Sequence, residues 1–100
     1  MKQVKITVLR RTVYEDLMAK YENPIEHACE LQIGQTFLSE NGQCPAGLCE
    51  NAWLCMEKYV KTLADGGGNF FDGWMKNPHS ALISCDDGFR PVSFLIETVE

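Results

Sequence analysis

The chain has 100 residues, 45% of them hydrophobic and 23% charged, with a net charge of −5. That is enough for one domain around one core, and it excludes a disordered tail, a fibrous repeat and a membrane span. The acidic balance argues against nucleic acid and against a membrane as partners, and the alternating N-terminus, with no continuous apolar stretch, points to a cytoplasmic location.

Residues 3–13 alternate, with Val4, Ile6 and Val8 to one side and Lys5, Thr7 and Arg11 to the other. This period of two predicts a strand with one face on a core. Residues 15–21 (EDLMAKY) predict a short helix, stopped at Asn23-Pro24 because the residue before proline avoids helical angles. Residues 29–38 predict a second, weaker strand, with a bulge or bend at Gly34-Gln35. Residues 40–48, rich in Gly, Pro and Asn, read as loop.

Residues 49–64 give the clearest helix. Cys49, Ala52, Trp53, Met56, Val60 and Leu63 share one face, and Glu50, Glu57, Lys58 and Lys61 lie mostly on the other. Glu50 in the first turn and Lys61 in the last suit the helix dipole, and Gly66-Gly67-Gly68 ends the helix. Residues 69–79 form an aromatic-rich connection. Residues 81–85 and 91–97 predict two strands of an antiparallel hairpin, with Val92, Phe94 and Ile96 on its inner face. The order predicts a single α+β domain over residues 1–100, a small antiparallel or mixed β-sheet packed by one long helix.

Five cysteines are present: Cys29, Cys44, Cys49, Cys55 and Cys85. An odd number cannot all pair within one monomer. In a reducing compartment thiols persist as core filler, metal ligands or redox groups. Cys49 is the sharpest candidate, because unpaired N–H groups at a helix start stabilise an anion such as a thiolate. It could equally pack beside Trp53. Cys85 ends a strand just before a charged turn. If the hairpin packs near the start of the long helix, Cys49 and Cys85 share a pocket; a buried cysteine on a strand face is the plainer alternative.

A metal ion held by Cys49, Cys85 and Cys44 is the candidate cofactor. The wider ligand set adds Cys29, His27 and His79, but no Cys-x2-Cys knuckle exists. A plant-type iron–sulfur pattern fits only in the gap between Cys44 and Cys49, and Cys55 points away from Cys49 on the helix. In the turn Asp86-Asp87-Gly88-Phe89-Arg90-Pro91, Arg90 either clamps a small anionic ligand or pairs with Asp87 to fix the loop. The glycine run follows a helix and precedes no Lys-Ser or Lys-Thr pair, so it is a helix stop and no phosphate loop. Phe70, Phe71, Trp74 and Met75 form either a lid over the core or a surface for homo-oligomer formation.

Four segments together carry a resemblance: Val4-Lys5-Ile6-Thr7-Val8-Leu9; Gly47-Leu48-Cys49 through Ala52-Trp53; Gly67-Gly68-Asn69-Phe70 with Trp74-Met75-Lys76; and Cys85-Asp86-Asp87-Gly88-Phe89-Arg90-Pro91-Val92. With them the chain resembles an uncharacterised family of small prokaryotic proteins of about this length. The resemblance implies a shared fold and a site containing Cys49, Trp53, Cys85, Asp87 and Arg90, with Trp53 as the cofactor-contacting side chain. Asn51 stands where relatives tend to carry an aromatic residue. Ser84 stands where a second, adjacent cysteine is common, which weighs against a vicinal-dithiol mechanism. The expected function is a thiol-based redox or metal-binding module using Cys49 and Cys85. The alternative is a non-catalytic domain that self-assembles or binds a partner through residues 70–75.

Overall fold

The alternating residues at the N-terminus form β1 (Gln3–Arg11), whose Val4, Ile6 and Val8 are buried while Gln3 and Lys5 stay exposed. A computed structural model of the chain describes residues 1–25 and 30–99. Helix α1 (Glu15–Tyr21) follows, then β2 (Thr36–Ser39), α2 (Glu50–Ala64), β3 (Ser80–Ser84) and β4 (Val92–Val99). All pairings are antiparallel, in the order β2-β1-β4-β3. The α+β expectation is met, and the sheet is antiparallel throughout the described residues.

Helix α2 lies across β1, β4 and β3 on one face of the sheet. Its Ala52, Trp53, Met56, Val60, Leu63 and Ala64 meet Val4, Ile6, Val8, Ala81, Ile83, Val92, Phe94 and Ile96. Burying such side chains is worth roughly 1.5–3 kcal/mol each, and this one-sided layer is the core. The helix ends in a Schellman motif: Gly66 N–H donates to Leu63 C=O (3.0 Å) and Gly67 N–H to Thr62 C=O (2.9 Å), with Gly66 at φ +89°. No helix among the described residues is long and apolar enough to cross a membrane.

Helix α2 and strands β3 and β4 lie within two residues of the expected 49–64, 81–85 and 91–97, and three other parts of the chain depart from the expectation. Strand β1 runs through a register slip between Val8 and Arg10, resumes pairing, and stops at Arg11, opposite Val92 where β4 begins, before the chain turns into α1. The bend expected at Gly34-Gln35 is present, with Gly34 at φ +90° and its N–H donating to Val8 C=O, and strand β2 begins only beyond it, at Thr36. The start of that expected strand, with Cys29, lies outside the described residues, as does His27. The aromatic segment divides. Phe70 and Phe71 pack against Tyr59 of α2, with ring centroids 5.1 and 5.9 Å away, whereas Trp74 is 83% exposed.

Candidate functional site

The hairpin of β3 and β4 brings its connecting turn to the N-terminal end of α2. There a cavity of about 240 Å³ is lined by residues of four chain segments. Cys49 comes from the start of α2 and Cys85 from the end of β3. Glu22 and Ile25 come from beyond α1, and Asp86, Asp87 and Arg90 from the turn. Leu31, Ala52, Val92 and Phe94 supply apolar wall.

Cys49 is the N-cap residue of α2 and is exposed. Its carbonyl accepts the Trp53 N–H at 3.0 Å, and no side chain caps the helix. The first-turn amides therefore have no intrahelical acceptor. Cys85 is half-buried and closes the hairpin: its N–H donates to Val92 C=O (3.0 Å), and its Sγ accepts the Val92 N–H (3.2 Å). One cavity thus holds an exposed thiol and, deeper against the core, a second thiol already accepting a backbone amide.

The turn is built by Asp87. Its Oδ1 accepts the N–H groups of Phe89 (2.8 Å) and Arg90 (3.0 Å), an Asx arrangement that frees the backbone from any other partner. Phe89 C=O then accepts the Tyr14 N–H and Pro91 C=O the Thr12 N–H, both at 2.9 Å, which ties the turn to the link between β1 and α1.

The Arg90 guanidinium makes its hydrogen bonds to Glu22, while Asp87 hydrogen-bonds to Arg90 only at its backbone N–H. The two terminal nitrogens of the guanidinium donate to the two carboxylate oxygens of Glu22 at 2.9 and 2.7 Å, with side chains only 16% and 14% exposed. This bond, and then the charges of Glu22 and Asp87, hold the guanidinium's pKa above its ordinary value against the opposing effect of burial. The fork geometry matches a carboxylate bidentately, and Glu22, not the Asp87 that the sequence offers, is that carboxylate.

Two other sequence candidates stand apart from the cavity. Trp53 is buried in the core, 8% exposed, and does not line the cavity. It sits one turn beyond Cys49 on the inner helix face, so its indole faces the sheet. Cys44 is exposed, and its thiol donates to its neighbour Pro45 C=O at 3.6 Å. Its pKa is raised, first by burial and then by the charges of Glu50 and Glu57, a setting opposite to that of a metal-binding thiolate. Among the described residues, no group of three or more His, Cys, Asp and Glu side chains is arranged to hold a metal ion. His79 is exposed, with Nδ1 3.3 Å from Gly67 C=O.

Cys55 is directed away from Cys49 by the helical spacing. It is half-buried, packs on the core alongside Cys85, and feels the same group of charges. Burial first, then Asp86, and after them Cys85 and Cys49, raise its pKa, while the Asp86 backbone amide lowers it. The contributions of Glu22, Ile25 and Leu31 were also missed. Leu31 was read as part of a strand, and nothing local in the sequence marks Glu22 as the partner of a residue 68 positions away.

No protein-family model matches the chain, and no curated protein or solved structure does. The geometry of the cavity therefore carries the functional reading.

Proposed function

We propose that the chain is a small dithiol redox domain in which Cys49 and Cys85 form one reversible thiol–disulfide pair. The observation that carries this reading is the single cavity lined by both sulfur-bearing residues, one exposed and one half-buried. An accessible thiol takes the first oxidising hit and a sheltered thiol resolves it.

With hydrogen peroxide as oxidant the chemistry balances. The Cys49 thiolate attacks the peroxide oxygen, the O–O bond breaks, and sulfenic acid and hydroxide result. The Cys85 thiolate then attacks the sulfenic sulfur, forms the S–S bond and expels a second hydroxide. The two protons released by the thiols convert both hydroxides to water, and the two electrons end on the peroxide. A cellular thiol reductant reverses the step, and the cytoplasm, where such reductants act, is the matching compartment.

The test is site-resolved alkylation of the folded, reduced protein by iodoacetamide at neutral pH. Cys49 is expected to label several-fold faster than Cys44, although both are exposed. Equal, slow labelling of every cysteine until the chain is denatured would overturn the reading.

A further inference from the structure

The Glu22–Arg90 pair alters the electrostatics of the cavity. Among the described residues that line it, Arg90 is the sole cation, and Glu22 occupies both of its terminal nitrogens. Glu22, Asp86 and Asp87 against the single Arg90 leave the described lining with a net charge of about −2. Asp87 spends one oxygen on two backbone amides, and the exposed Asp86 makes no ion pair among the described residues. Beside the two thiols, the rest of the described wall is the neutral Asn51 amide and apolar surface from Ile25, Leu31, Ala52, Val92 and Phe94. A net negative lining around a small, partly apolar cavity attracts a cation and repels an anion.

We infer that the Cys49–Cys85 site takes small cationic disulfides, those whose arms end in ammonium groups, in preference to anionic ones. The inference rests on the dithiol reading and names its substrate class. In the exchange, a protein thiolate attacks one sulfur of the disulfide and a mixed disulfide forms. The departing arm leaves as a thiolate that takes up the proton the protein thiol gave to water. The second protein thiolate then displaces the remaining arm and leaves the protein disulfide, so the two electrons end on the two small thiols. The preference reverses the anionic-ligand expectation drawn from Arg90 in the sequence.

The experiment compares three reagents on the full chain: cystamine (a dication), 2-hydroxyethyl disulfide (neutral) and dithiodiglycolate (a dianion). Mass spectrometry reads the rate at each cysteine, and each rate is divided by that of a small neutral thiol with the same reagent. At low ionic strength cystamine is expected to outpace dithiodiglycolate by about tenfold at Cys49 and Cys85, and the ratio should shrink several-fold in molar salt, where the screening length falls to about 3 Å. Asp86→Asn and, separately, Glu22→Gln each remove one negative charge and are expected to cut that ratio by about two- to threefold at the cavity thiols, leaving it unchanged at Cys44. A ratio near one at the cavity thiols, or one that neither substitution moves, overturns the cationic preference while leaving the dithiol reading intact. Failure of the neutral reagent to react at either cavity thiol brings down both.

Discussion

Glu22 and Arg90, 68 residues apart, are joined by two charge-assisted hydrogen bonds of 2.7 and 2.9 Å that form one wall of the cavity. The pair also anchors α1. No residue of that helix is buried, and its end runs directly into Glu22. Removing one partner leaves the other largely enclosed without its counter-charge. Glu22→Ala is therefore expected to lower the melting temperature by several degrees and to raise amide exchange across residues 15–21, with α2 and the sheet far less affected. Calorimetry and hydrogen exchange check both parts.

The stop of α2 offers a paired test of backbone against sterics. At Gly66 an added Cβ meets nothing within 4 Å, but φ is +89°. Gly66→Ala is expected to cost about 1 kcal/mol. At Gly68 an added Cβ would run into the backbone carbonyl of Pro78, which cannot swing aside as a side chain could. Gly68→Ala is expected to cost clearly more, and urea unfolding of the two variants ranks them.

Met56 is fully buried between α2 and the sheet. Met56→Ala is expected to lose about 2–5 kcal/mol, a loss that increases with the volume left unfilled. The urea midpoint should fall without a change in the slope of the transition.

Alkaline sensitivity follows from Cys55 and Cys44. Both thiols have pKa values raised above the ordinary 9.0, chiefly by burial. A raised value means the native state keeps a proton that the unfolded chain gives up sooner. The associated stability is fully present below pH 9 and is lost as pH rises through the native values. Unfolding midpoints are expected to hold steady from about pH 7 to about 8.5 and then to decline, and Cys55→Ala should flatten part of that decline.

The local parts of this fold were legible in the sequence. Helix α1 spans the predicted residues 15–21, and α2 begins one residue late only because Cys49 caps it. Those elements are set by periodicity and by Pro and Gly stops, which act over a few residues. The bend at Gly34 was legible, but the end of β1 and the start of β2 were not, because they are set by where the partner strands begin to pair, Val92 opposite Arg11 and Thr36 opposite Thr7. In the site, the two thiols could be named from the helix start and the strand end. The pairing of Arg90 could not be read, since Asp87 is three residues away and Glu22 is brought in only by the tertiary path of α1. The nearness of Cys55 to Asp86 and Cys85 could not be read either, because it comes from the packing of α2 on β3 and not from the angle of Cys55 on the helix.

The most direct test of the dithiol is a non-reducing peptide map after one equivalent of hydrogen peroxide is added to the reduced, folded protein. The expected product is an intramolecular Cys49–Cys85 disulfide, reopened by dithiothreitol and absent in both Cys49→Ser and Cys85→Ser. A map in which Cys49 oxidises to sulfinic acid or links only between molecules, with Cys85 left as a thiol, would contradict the account.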